Sequence, residues 1–207
     1  MAQTPQWLVV RHLTVPLGGQ AVLQDLSFSV SSGVQLITGD EGSGKTTLAR
    51  TLAGMQAVKK GTATVQGQPL TLAKLDNGVL LADAVVAESQ YDLTGEATWD
   101  RLRQQWKDFH DGAMQDLLAL FGLEEHMAKP LFQWSTGSRR KLGLCAAFAA
   151  GAPLAVLDTP YAALDARSCG ALDEVLQDLA DHPHRCWLLL DHEPPAGLGQ
   201  TAAFQLP

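Results

Sequence analysis

Residues Gly39 to Thr47 read GDEGSGKTT, a gapless fit to the phosphate-loop pattern G-x-x-x-x-G-K-[ST]. Each fixed position answers to one property of a nucleoside triphosphate. Gly39, Gly42 and Gly44 allow tight turning, with torsions that a side chain would forbid. With Asp40, Glu41 and Ser43 between them, successive N–H groups can point inward and cradle phosphate oxygens. Lys45 is placed to reach the β- and γ-phosphates, and Thr46 offers a hydroxyl to Mg²⁺. Outward from the loop, Gly33–Thr38 (GVQLIT) reads as a short buried strand. Thr47–Ala53 (TLARTLA) reads as a helix whose positive N-terminus faces the anion. The ligand implied is ATP or GTP.

Composition excludes several other classes. The chain has 207 residues, 46% of them apolar and 18% charged, enough for one good core. A formal charge of −7 supplies no electrostatic reason to expect nucleic acid, whose partners carry a basic footprint. No run approaches the roughly 18 apolar residues of a membrane span, and MAQTPQWLVVRH lacks the plan of a signal peptide. Cys145, Cys169 and Cys186 are odd in number and lack metal-ligand spacing, as expected of idle thiols in a reducing cytoplasm.

Along the chain, Trp7–Leu13 and Ala21–Val30 read as strands of a β-rich lobe, with Gly18-Gly19 as the turn between them. Thr62–Val65 reads as another strand, broken by Gly67-Gln68-Pro69, and Gly78–Ala84 as a buried one. From about Thr98 to His126 the apolar period is helical, through Leu102, Trp106, Phe109, Met114, Leu117, Leu118 and Phe121. A second helix is expected from Thr136 to Ala150, a strand at Leu154–Leu157, a helix at Ala171–Ala180, and a last buried strand at Trp187–Leu190. Alternating strands and helices predict a mostly parallel α/β sheet, with residues of about 90–145 as a helical insertion.

Four elements in the second half narrow the choice among phosphate-loop proteins. PLAVLD (153–158) is an apolar strand ending in an acid, which places Asp158 where it can orient Mg²⁺. WSTGSRRK (134–141) precedes it, AALD (162–165) follows it, and WLLLDH (187–192) is a further apolar strand ending in His192.

With these parts in this order, the chain resembles the ATP-binding cassette of ABC transporters over essentially its whole length. Gly39–Thr47 is similar to the family's Walker A, Ser135–Ser138 to its signature, Leu154–Asp158 to its Walker B, Ala162–Asp165 to its D-loop and His192 to its switch histidine. The fold implied is an α/β P-loop NTPase in a single domain, 1–207. It comprises an N-terminal antiparallel β lobe and a parallel core (about 1–89 and 146–207) with an inserted helical subdomain (about 90–145). In that family two cassettes pair head to tail around ATP and Mg²⁺. The resemblance then gives Ser135 and the Gly137 N–H a contact with the γ-phosphate bound to the opposite subunit. A hydroxyl and a helix N-terminus do form an anion site, although the same residues also fit a polar cap on the helix that follows.

The departures from the family pattern are informative. The Glu that usually follows the Walker B Asp is replaced by Thr159. A hydroxyl cannot accept a proton as a carboxylate does, and loss of a general base costs about 10²–10⁴ in rate. Either hydrolysis is slow or silent, or another group such as Asp191 orients the water. Where the family stacks an aromatic on adenine, VPLGGQAVL offers Leu17. The residue answering to the family's coupling glutamine is Asp83 or Gln90. His182-Pro-His184 lacks a third metal ligand and reads as a surface loop.

The resemblance therefore implies an ATP-binding subunit, paired with itself or with another cassette. It would dock on a separate membrane permease at the cytoplasmic face of the inner membrane. Length and phrases such as GVQLITG look more narrowly like the cassette subunit of bacterial haem exporters. The alternative is a hydrolytically silent cassette that acts as an ATP-gated interaction or assembly module.

Overall fold

Strands that are buried on both faces read as nearly continuous apolar runs, and those beside the phosphate loop do so, with Gln35 the half-buried exception in the strand that enters it. The computed structural model describes residues 6–18, 20–72, 74–195 and 202–207. β1 (Leu8–Leu17) and β2 (Gln20–Val30) form an antiparallel pair, β3 (Gly33–Thr38) leads into the loop, and α1 (Lys45–Leu52) leaves it. β4 (Lys60–Val65) and β5 (Gln68–Leu70) return to β1, giving an antiparallel sheet of order β2-β1-β4-β5. The Gln68-Pro69 segment, read from sequence as a break, thus joins an edge: Pro69 lacks an N–H and is tolerated there.

The chain then supplies β6 (Val79–Leu81), α2 (Ala82–Val85), α3 (Gly95–Gln105), α4 (Asp111–Leu120) and α5 (Thr136–Ala149). β7 (Leu154–Asp158), α6 (Ala166–Asp178), β8 (Cys186–Asp191) and β9 (Phe204–Gln205) follow. The second sheet is parallel at every described pairing, in the order β6-β7-β8-β3-β9. Its two faces bury different partners. Leu36, Ala155, Leu157, Trp187 and Leu189 pack with α5, α6 and the helical segment. Ile37, Val156, Leu188 and Leu190 pack with α1 and the antiparallel sheet. This period of two is what a strand's alternating side chains require.

Register sets the site. Ile37 pairs with Leu190, Thr38 with Asp191, and Asp158 with Leu190. The carboxyl ends of β3, β7 and β8 are therefore level, and the loops leaving them meet on one edge, where ligands of open α/β sheets bind.

Several expectations are corrected. The helical period from Thr98 to His126 resolves into α3 and α4, because Trp106 and His110 take extended backbone conformations between them. The His110 N–H donates to Ala149 O instead of continuing a helix. Gly78–Ala84 is a strand only at Val79–Leu81, after which the chain turns helical. Trp187–Leu190 is not the last strand, since β9 pairs with β3. The turn glycine Gly19 lies outside the described residues. No helix among the described residues is long and apolar enough to cross a membrane.

Candidate nucleotide-binding site

The loop owes its shape to Gly44, whose φ of +96° is left-handed and whose missing Cβ would otherwise stand 2.7 Å from Leu23 Cδ2. No side chain caps the N-terminus of α1, which leaves its first N–H groups open to an anion. The Lys45 ammonium is buried. It donates to Gly39 O at 2.6 Å and Asp40 O at 2.8 Å, and stands 3.5 Å from His192 Nδ1. The Ser43 N–H donates to Asp40 O at 3.2 Å, closing the turn.

Lys45, Thr46, Thr47, Thr159 and His192 border a cleft of about 350 Å³ together with Glu41, Gly42, Gly44 and Val22. Val22 carries no sequence signal beyond β alternation; it lines the cleft because β2 packs on Gly44. Leu17 ends β1, but its side chain lies outside the described residues.

The Thr46 hydroxyl donates to Asp158 Oδ2 at 2.6 Å, while Asp158 Oδ1 is buried without a partner among the described residues. An orphaned carboxylate oxygen beside a hydroxyl is a hard donor set. No group of three His, Cys, Asp or Glu residues fit for a metal occurs among the described residues. The arrangement fits Mg²⁺, which takes one or two protein oxygens and completes its shell with phosphates and water. Ser43 Oγ, also buried and unpartnered, faces the same need for a polar ligand.

Thr159 is held in a left-handed conformation, φ +46°, uncommon for a β-branched residue. Its N–H donates to Leu190 O at 2.8 Å, and its carbonyl accepts from Arg140 Nη1 at 2.7 Å and from the Ala162 N–H at 3.1 Å. Arg140 Nη2 also reaches Asp83 Oδ2 at 3.3 Å. Burial raises the Asp83 carboxyl above its ordinary range, opposed by Arg140 and reinforced by Asp158. Gln90 accepts from Arg101 Nη1 and lines a different cavity. Asp191 Oδ1 is engaged by the His192 N–H at 2.8 Å. Arg140 was invisible in the sequence, where it is one of two adjacent arginines; only its position one turn into α5 distinguishes it.

Ser135 is the N-cap of α5. Its Oγ accepts from the Ser138 N–H at 3.0 Å, so the capping reading of these residues holds. A Cβ on Gly137 would lie 2.6 Å from Ala163 O, so this turn packs against the loop after β7. Neither Ser135 nor Gly137 borders the cleft. Burial pushes the Cys186 thiol up to about 12, and the Cys145 and Cys169 thiols also rise, which argues against a thiolate nucleophile.

Residues 23–162 match the model of the ABC transporter family. The chain belongs to the ABC transporter family. A putative ABC transporter ATP-binding protein of Treponema denticola is 30% identical over 173 residues, 83% of this chain and 35% of that protein. The taurine import ATP-binding protein TauB of Pseudomonas aeruginosa is 31% identical over 84% of this chain and 66% of its own length. The cytochrome c biogenesis ATP-binding export protein CcmA of Rhodobacter capsulatus is 32% identical over 82% of this chain and 74% of its own. The chain thus spans about a third to two thirds of the first two of these relatives. The fold of this ABC family member is that of a solved ATP-binding subunit of an ABC transporter, with a TM-score of 0.72 at 22% identity, covering 89% of this chain and 79% of the other.

Proposed function

We propose that this chain is an ATP-binding cassette subunit of an ABC transporter. In this reading it pairs around ATP and Mg²⁺ and works on a separate membrane permease from the cytoplasmic face of the inner membrane. The observation that carries the reading is the meeting of Lys45 and Thr46 in one cleft at the ends of β3 and β7, with the Thr46 hydroxyl bonded to Asp158. Lys45 exchanges its two loop carbonyls for β- and γ-phosphate oxygens. Thr46 and Asp158 would hold Mg²⁺, which would supply neutralisation of charge on those phosphates. Loop N–H groups from Gly39 to Thr47 cradle the rest, and His192 Nδ1 stands beside the Lys45 ammonium, within reach of a γ-phosphate. Leu17 would give apolar contact to the base.

Ser135 and Gly137 stand outside this cleft, as residues serving a nucleotide on a second subunit would. The relatives are named for import in one case and export in another, at 31% and 32% identity. What their names share is ATP binding, and the proposal therefore gives no direction of transport.

Thr159 makes hydrolysis slow, since the cleft offers no carboxylate at that position. Thr159 is also the observation behind a second reading, a silent cassette that holds ATP as an assembly signal. Equilibrium binding of Mg²⁺·ATP, light scattering for dimer formation, and release of radiolabelled phosphate over hours test the proposal. Binding, pairing and slow release that exceeds a Lys45→Ala control are the expected results. Release at several per second would contradict the slow site, release no greater than the control would favour the silent reading, and absence of ATP binding would end both.

A further inference from the structure

Position 159 holds a residue poorly suited to the backbone it takes. Thr159 is β-branched and precedes Pro160, two features that favour extended backbone, and yet its φ is +46°. Ala163, four residues on, is left-handed as well, at φ +61°. Strain of this kind persists only where the surroundings over-determine it. The sheet supplies one restraint, the bond from the Thr159 N–H to Leu190 O at 2.8 Å, and the Ala162 N–H returns to Thr159 O at 3.1 Å. Two more come from the start of α5. Arg140 Nη1 donates to Thr159 O at 2.7 Å and to Ala162 O at 3.3 Å. Gly137 lies so close to Ala163 O that an added Cβ would stand 2.6 Å from it. The other end of the guanidinium is fixed too, with Nη2 donating to Asp83 Oδ2 at 3.3 Å. Only 19% of the Arg140 side chain is exposed, so water competes little for these bonds.

The clamp matters because Thr159 borders the cleft, although Arg140 does not. Lys45 and His192 border the same cleft, 3.5 Å apart, at the end that a γ-phosphate would meet. We propose, on the ATP-binding reading above, that Arg140 is a positioning residue that gives the site its preference for a triphosphate over a diphosphate. Its guanidinium holds the Thr159 backbone in the left-handed form in which that residue borders the cleft. With the guanidinium gone, Thr159 O keeps only the Ala162 N–H. The residue then relaxes towards the extended backbone that a β-branched residue before proline prefers. The wall beside the γ-phosphate moves, while the loop N–H groups that cradle the β-phosphate stay where they are.

The test is calorimetric titration of the full chain with Mg²⁺·ATP and with Mg²⁺·ADP. Arg140→Met keeps the length of the side chain and loses its donors. It should lower ATP affinity about tenfold, the scale of one charge-assisted bond, with ADP affinity within about twofold of wild type. Arg140→Lys keeps a charged donor and should fall between, and it carries the test should the methionine variant not fold. Thr159→Gly supplies a residue that takes positive φ without steric cost. On that background Arg140→Met should change the ratio of ATP to ADP affinity by less than about twofold. A merely structural role for Arg140 would lower both affinities together, whichever residue stood at 159. Unchanged ATP affinity in Arg140→Met, an equal fall for both nucleotides, or the full loss on the Thr159→Gly background would overturn the proposal and leave the ATP-binding reading intact. Failure of the wild type to bind ATP would overturn the reading on which it rests.

Discussion

Thr46 Oγ1 donates to Asp158 Oδ2 at 2.6 Å, joining the first turn of α1 to the end of β7 across 112 residues. The two oxygens proposed to share a cation share a proton instead, and the second carboxylate oxygen is left buried and unpartnered. Such a group costs about 1–3 kcal/mol when no partner arrives. The site therefore carries a local penalty that a bound cation would relieve.

Asp158→Asn should separate stability from function on this account. The amide keeps an acceptor for Thr46 and removes a poorly solvated charge, so the nucleotide-free protein should melt no lower than wild type. Its ATP affinity should become indifferent to Mg²⁺, whereas in the wild type chelation by EDTA should weaken binding about tenfold or more. Thermal melting, and ATP titrations with and without EDTA, check both halves.

Lys45→Met should act on ligand binding more than on folding. Lys45 is 6% exposed, and among the described residues its ammonium meets two loop carbonyls and the neighbouring imidazole. An apolar side chain of similar length loses those bonds but also their desolvation cost. Charge-assisted bonds contribute about 1.5–3 kcal/mol, so ATP affinity should fall on the order of 10- to 100-fold. Calorimetric titration measures it, and an unchanged affinity would remove Lys45 from the phosphate site.

Much of this was legible in the sequence, for a physical reason. Strands such as Leu154–Asp158 and Cys186–Asp191 are buried on both faces and so appear as unbroken apolar runs. The loop between β3 and α1 is constrained by phosphate geometry and so carries glycines and Lys45 in fixed order. The break between α3 and α4 was hidden because the apolar period continues on both sides of Trp106–His110 while tertiary bonds, such as Arg103 and Trp99 to the Asp111 carboxylate, redirect the chain. Arg140 was hidden for another reason. Its partners are a backbone carbonyl at 159 and a carboxylate 57 positions away, and no local spacing encodes a bridge of that kind.

Two glycines of the loop should respond differently to the same change. Gly44 has φ +96° and its added Cβ would meet the Leu23 and Val22 side chains at 2.7 and 3.1 Å, whereas Gly42 has φ +82° with open space around it. Gly42→Ala should therefore lose only the left-handed penalty of about 1–2 kcal/mol. Gly44→Ala should lose that and about 1–3 kcal/mol more from crowding, together with ATP affinity, since β2 and the start of α1 must move apart. Urea unfolding of the two variants, run side by side, gives the comparison; equal losses would mean that β2 yields freely.

Arg185 offers a test of how α5 is held. α5 starts at the Ser135 cap and ends where its last carbonyls need donors. Arg185, just before β8, supplies two of them, with Nη2 donating to Ala147 O at 3.2 Å and Nη1 to Phe148 O at 2.9 Å, and its Nε donates to Ala152 O beyond the helix at 3.0 Å. Its guanidinium lies 4.5 Å over the Trp187 ring. Burial lowers its pKa to about 10, so the side chain remains a cation at neutral pH and favours the negative end of the helix. Arg185→Leu keeps the packing on Trp187 but orphans the Phe148 and Ala152 carbonyls and takes one of two donors from Ala147 O, which keeps the Trp187 indole N–H at 3.2 Å. Allowing for partial exposure, the loss should be about 2–4 kcal/mol, a drop in melting temperature on the order of 10 °C for a chain of this size. Nucleotide affinity should change little, because Lys45 and Asp158 sit at the opposite ends of the strands. If ATP binding fell as steeply as stability, α5 and the phosphate loop would have to be coupled through the sheet, and the separation argued here between holding the helix and holding the nucleotide would be wrong.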